Sequence, residues 1–415
     1  MIIKTTLEEL QRVLNVVNSV VSDKMLNDDM KTITICKNGD AFSAVAQSSY
    51  VSVMTKLDAT YTTGADEEDV AEVTLQFKAA ELKNILATYT GLHMTVVTGV
   101  NFDIRQDEIR LEVCEEAVDK SSEFSAQYNR VTKHRIAKTR VTENVKREIL
   151  SFKETLNEPE NFITLNSKEV LGYIETLLPA ISKVTGDTPF TRMYVLPSSI
   201  FVIPQTYAAI IENRMDDAVK EQFSKFILTC NVATFLKSFF NLSDTVEFRK
   251  KIVKDLVVLV LKIGDTAAQV RVTSDKRVPS ITDFNVKPDN FISIDRGYFS
   301  DVIKRIKNVG IDVTFKVVID ENGVSSCTIM NKLLTQEIPI YKAKGSGEFA
   351  FTIKADMLAA ITLNNTVGCF GDRLVFRFDE DDKNKVNFYV QDNTNGWHTK
   401  MRGLALIESD FKQWN

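Results

Sequence analysis

The sequence predicts an α+β protein built by repeating one strand, cap and helix unit. Two near-copies carry the first half of the argument: NFITLN at 161–166 and NFISID at 290–295 begin alike, and each runs into an amphipathic helix. A second series, EVTLQFKAAELKNIL, KFILTCNVATFLKSFF and EFAFTIKADMLAAI, carries the other half, because each reads as an alternating strand, a polar turn and a helix. The segments after each helix alternate apolar and polar residues and break at turn sequences, so the helices should pack on antiparallel sheets.

In chain order, IIKTTLEELQRVLNVVNSVV opens with Thr5 or Thr6 as helix cap and a stripe of Leu7, Leu10, Leu14, Val17 and Val21. Strands broken at KNGD follow, then the FKAAEL unit. NSKEVLGYIETLLPAISK has Asn166 or Ser167 as cap and Val170, Ile174, Leu177, Leu178 and Ile181 as its stripe. TRMYVLPSSIFVIPQTYAAIIE is strand-like with a turn at LPSS. In DRGYFSDVIKRIKN the cap is Asp295 and the stripe is Phe299, Val302, Ile303 and Ile306. Strands broken at DENG and DEDDKN complete the pattern. Phe77, Cys230 and Ile353 should end their strands in step, with Leu82, Phe235 and Leu358 at one shared helix position.

A single unit cannot bury its helix alone, so the six units should fuse in pairs. The expected domains are 1–140, 161–286 and 287–415, with 141–160 a linker able to form a helix of its own and NVKPDN a second short linker.

Composition bounds the function. The 415 residues are 44% hydrophobic and 26% charged, with no apolar run near the ~20 residues that span a bilayer. The start, MIIKTTLEELQ, has acids where a signal peptide needs an apolar core, which predicts a cytoplasmic protein. Five cysteines, Cys36, Cys114, Cys230, Cys327 and Cys369, stand far apart without a CxxC pair and read as reduced thiols. The net charge of -5 argues against a chain coated in base, though it permits a basic surface segregated from an acidic one. Three dispersed histidines, with no HExxH, nucleophile elbow or GKS/T loop, offer no catalytic constellation. No metal and no cofactor is implied, and GSGEF at Gly345 reads as a loop.

Three consecutive domains, each with two strand-helix units, resemble the bacterial DNA polymerase III beta sliding clamp over nearly the whole chain. The opening IKTTLEELQRVLNVV, the strand TRMYVLP, the segment RVPSI and the final strand HTKMRGLALI support the resemblance. VIPQTYAAI departs from it in the middle domain, as does the extension ESDFKQWN, so a diverged member of bacterial or phage origin is expected.

The resemblance implies a non-catalytic processivity factor: repeated clamp domains closing head to tail into a ring, a homodimer by preference, around duplex DNA read without regard to sequence. It implies a polymerase and a clamp loader as partners, docked through a short peptide in an apolar groove near Val195, Pro204, Pro279, Met357, Met401 and Leu404. The compartment would be the bacterial cytoplasm or an infected host cell. If the helices line a hole, their polar faces should meet phosphate. Those faces carry Arg12, Asn15, Lys83, Asn84, Lys168, Lys183, Lys237, Asn241, Lys304, Arg305 and Lys307, with Glu8 and Asp301 among them. A replication scaffold that does not encircle DNA, or an α+β enzyme with a site assembled from distant residues, remains open at this point.

Overall fold

Three side chains start three of the helices. Thr6 accepts from the backbone N–H of Glu9 at 3.1 Å, Asn166 from those of Lys168 and Glu169 at 3.0 and 3.4 Å, and Asp295 from that of Tyr298 at 2.7 Å. Each satisfies amide groups that a first turn leaves without partners.

A computed structural model describes residues 1–21, 28–38, 41–63, 74–105, 108–121, 129–157, 162–182, 191–202, 208–213, 215–253, 256–274, 290–307, 312–331, 333–354, 373–378, 385–391 and 398–405. Its helices are α1 (Leu7–Val17), α2 (Ala79–Ala87), α3 (Glu143–Asn157), α4 (Ser167–Ile181), α5 (Asp217–Gln222), α6 (Cys230–Phe240) and α7 (Arg296–Lys307). The registered strand pairs are antiparallel. The sixth unit's helix, with Leu358, and the turns KNGD at Gly39 and DEDDKN fall outside the described residues.

Two readings of the sequence shift. The stripe of α1 was expected to run to Val21, but the helix ends at Val17 with Asn18 as C-cap, and Val20 and Val21 follow in a turn whose amides bond to the carbonyl of Val17. Cys230 does not end a strand: Thr229 accepts from the amide of Val232, so the helix begins at Cys230. The hydroxyl captures the chain one residue earlier than alternation alone suggests.

The described residues divide into two units, one of Met1–Ile163, Glu247–Lys251 and Val258–Arg271, the other of Thr164–Val246, Ile252–Val257 and Val272–Asn415. In the first, a five-stranded sheet runs in the order Thr60–Thr62, Ile2–Thr5, Thr95–Ile104, Glu108–Ala117, Arg130–Ala137. Its inward positions Val100, Phe102, Ile109, Leu111 and Val113 are fully buried. A second sheet orders Thr74–Lys78, Thr32–Asn38, Ala41–Gln47 and Val51–Leu57, and Thr266 to Val270 pairs onto its far edge opposite Val51 to Thr55. α1 packs between this sheet and Thr95–Ile104. α3 covers the opposite face, where Val145, Ile149 and Phe152 meet Cys36, Val45, Met54 and Ala267. Arg271 donates to Glu148 of α3 at 2.5 Å.

In the second unit, a sheet runs from Phe226–Thr229 through Arg192–Val195, Ser199–Val202 and Ala208–Glu212 to His398–Ala405, which also pairs with Lys385–Gln391. α4 and α6 lie together beside it, and the amide of Ser167 donates to the carbonyl of Asp244 at 2.9 Å. A separate core gathers around α7, whose Phe299, Val302, Ile303 and Ile306 pack on Ile292, Ile294, Val313, Phe315, Val317, Leu374 and Phe376. The rings of Phe299, Phe315 and Phe376 stand 5.5 to 5.8 Å apart, the tilted geometry aromatic groups favour. GSGEF is a tight connection. Gly345 sits at φ +100°, and a Cβ there would fall 1.7 Å from Asn290 Oδ1, which accepts from the amide of Ser346.

Candidate nucleic-acid interface

An amphipathic helix that buries one stripe presents its other side to solvent, and α1, α2, α4, α6 and α7 do so with the residues singled out from sequence. Asn15 on α1, Lys83 and Asn84 on α2, and Arg305 on α7 are exposed. Lys183 lies outside the described residues, and Lys307 closes α7 with its side chain outside the description.

The other candidates are engaged. The guanidinium of Arg12 is gripped by Glu9 (Nε to Oε2 2.7 Å, Nη2 to Oε1 2.8 Å) and also donates to the carbonyl of Lys56 at 2.6 Å and to Thr55 Oγ1 at 3.3 Å. Arg12 holds the carboxyl of Glu9 below the usual range, aided by the amide of Asp58, and Glu9 raises the guanidinium in return. Arg12 thus ties α1 to the end of the strand Val51–Leu57. Asn241 donates to the carbonyl of Lys237 at 2.9 Å and so caps α6.

Lys168, Lys237 and Lys304 each face a carboxylate. Lys168 Nζ stands 3.7 Å from Asp244 Oδ1, with side chains 77% and 88% exposed. Lys304 Nζ is 3.3 Å from Asp301 Oδ1, one turn away on α7, with both side chains exposed. Lys237 Nζ is 3.1 Å from Glu175 Oε1, but here the lysine is 41% exposed and the acid only 10%. The α4 and α6 face therefore alternates in sign: Lys237 of α6 is answered by Glu175 of α4, and Lys168 of α4 by Asp244 in the turn after α6. Spacing along one helix shows only the lysines; the partner acids come into view once α4 and α6 lie side by side.

The candidate peptide groove is described in part. Val195 is 1% exposed, on a strand facing the core. Met401 and Leu404 lie on the last strand, Met401 opposite Ala209 and Phe388, Leu404 opposite Thr352 and Lys385. Ala208 to Ile210, the end of VIPQTYAAI, begin the strand that lies directly against Met401. Pro204, Pro279 and Met357 fall outside the described residues.

Among the described residues no group of three His, Cys, Asp or Glu is placed to hold a metal ion, and no helix is long and apolar enough to cross a membrane. Cys36, Cys114, Cys230 and Cys327 are free thiols, and burial pushes that of Cys327 up to about 12.

Repeated helices on antiparallel sheets, each burying one stripe and turning a polar face outward, define a class of mixed α+β repeat proteins. The particular fold is that of the DNA polymerase III beta sliding clamps. The chain is similar to a DNA polymerase III beta subunit from Eubacterium rectale (TM-score 0.69, 11% identity, covering 98% of this chain and 99% of that one). It is similar to the DNA polymerase sliding clamp of Caulobacter crescentus (0.69, 15%, 98% and 100%) and to that of Bacillus subtilis (0.67, 12%, 98% and 99%). No family model and no curated protein matches the sequence. The likeness is one of fold.

Proposed function

We propose that the chain is a DNA sliding clamp, a non-catalytic processivity factor that encircles duplex DNA and tethers a polymerase. The observation that carries this reading is the length of the match: 98% of this chain corresponds to 99–100% of clamps from three bacteria. The whole architecture, rather than one shared domain, is thus in common. Polar helix faces support it, since a protein that slides needs contacts to phosphate that carry no sequence information.

On this reading the domains are 1–140, 161–286 and 287–415, joined at 141–160, and two chains close head to tail. A polymerase or loader peptide docks near Met401 and Leu404. A Caulobacter crescentus beta sliding clamp with polyethylene glycol bound at what is described as its beta-motif tethering region supports a tethering site on this fold.

The test is topological. The protein, placed on nicked circular DNA with a loader or at high concentration, is expected to stay bound through a salt wash and to be lost once the circle is cut. Equal loss from circular and linear DNA removes the ring.

A further inference from the structure

We propose that the duplex-facing helices carry their own counterions: Asp244 and Asp301 hold Lys168 and Lys304 until a phosphate displaces them, and these acids set how loosely the protein holds DNA. The inference rests on the clamp reading and adds residues to it.

Both pairs lie in open solvent, where an ion pair is worth little and its partners separate readily. A phosphate oxygen offers either ammonium a charge-assisted hydrogen bond, which Lys304 already makes to Asp301 at 3.3 Å and Lys168, 3.7 Å from Asp244, does not. The displaced carboxylate stays within a few ångströms and repels the phosphate that replaced it, so each contact is short-lived. Interchangeable weak contacts are what lets a protein move along a backbone without gripping it.

Lys237 behaves differently. Its partner Glu175, on α4, is nearly enclosed and cannot follow into water, so giving Lys237 to a phosphate would take a cation contact away from a buried anion. Lys237 is a positioning residue that clasps two helices, and Lys168 and Lys304 are the phosphate contacts.

The experiment uses the full chain with Asp244→Asn, Asp301→Asn and both together. Binding to a short fluorescent linear duplex is measured by anisotropy over a salt series, and retention on nicked circles is measured in parallel. Each substitution is expected to tighten duplex binding about two- to fivefold at low salt, with the two effects multiplying and both shrinking as salt rises. Thermal midpoints should stay unchanged, and the double variant should outlast the parent on circles. Unchanged or weaker duplex binding by the double variant overturns the counterion role, whatever the circles show. A parent with no preference for circles removes the ring, and the duplex series still decides the role of the acids.

Discussion

Two ion pairs along α4 and α6 carry the same chemistry with opposite consequences. At the start of α4, Lys168 faces Asp244 with both groups in solvent. Further along, Lys237 faces Glu175, and the anion is enclosed. Residue types are alike, and both pairs lie within ion-pair distance, at 3.7 and 3.1 Å. What differs is whether the acid has water to turn to: a solvated carboxylate releases its lysine at little cost, and an enclosed one does not. Burial of the anion, more than the count of lysines on a helix face, decides which cations can reach a phosphate.

The strongest way to break this contrast is to remove the packing beneath it. Leu177 on α4 is 0% exposed, and Leu177→Ala is expected to cost about 2–4 kcal/mol in urea unfolding. It should also erase the difference between the two lysines by loosening one helix from the other. Next in size is the lysine comparison itself. Lys237→Ala should lose about 1 kcal/mol because Glu175 stays enclosed without that cation, whereas Lys168→Ala should change stability by less than about 0.5 kcal/mol and weaken duplex binding instead. Equal stability losses from the two would end the distinction.

The smallest effect belongs to Glu169, in the first turn of α4. Burial raises its carboxyl above the usual 4.5, and the charge of Asp216 adds to this while Lys220 opposes it. The folded protein holds that proton more tightly than the unfolded chain, so ionising Glu169 costs stability as pH rises through its raised value. Glu169→Gln should therefore match the parent below pH 4.5 and exceed it slightly at neutral pH, a difference read from urea midpoints at the two conditions. A variant less stable than the parent at neutral pH would show that Glu169 is a stabilising partner.

What could be read from sequence was what is decided within a few residues. Thr6, Asn166 and Asp295 cap their helices because a short oxygen-bearing side chain reaches an amide two or three positions on. Period-3.6 stripes found the buried faces of α1, α4 and α7 for the same reason. Contacts set by the assembled fold were hidden. Nothing near Lys237 in the chain announces Glu175, 62 residues earlier, and nothing near Arg12 reveals that the carbonyl of Lys56 will take part of its guanidinium. The short helix α5 had no stripe to betray it, being six residues long with none of them buried.

The pairing of Thr266 to Val270 with Val51 to Thr55 bears on synthesis. The hydroxyls of Thr55 and Thr266 meet at 2.7 Å across 211 residues of chain. A nascent chain that has delivered its first 163 residues has therefore made most of one unit without its last strand, and the edge Val51–Leu57 stands open in the meantime. Open edges invite mispairing, and closing so long a loop is slow. α3 can already settle on the apolar face beside that edge, through Val145, Ile149 and Phe152. Glu148 is then in place when Arg271 arrives, so the late strand joins a surface that is already formed.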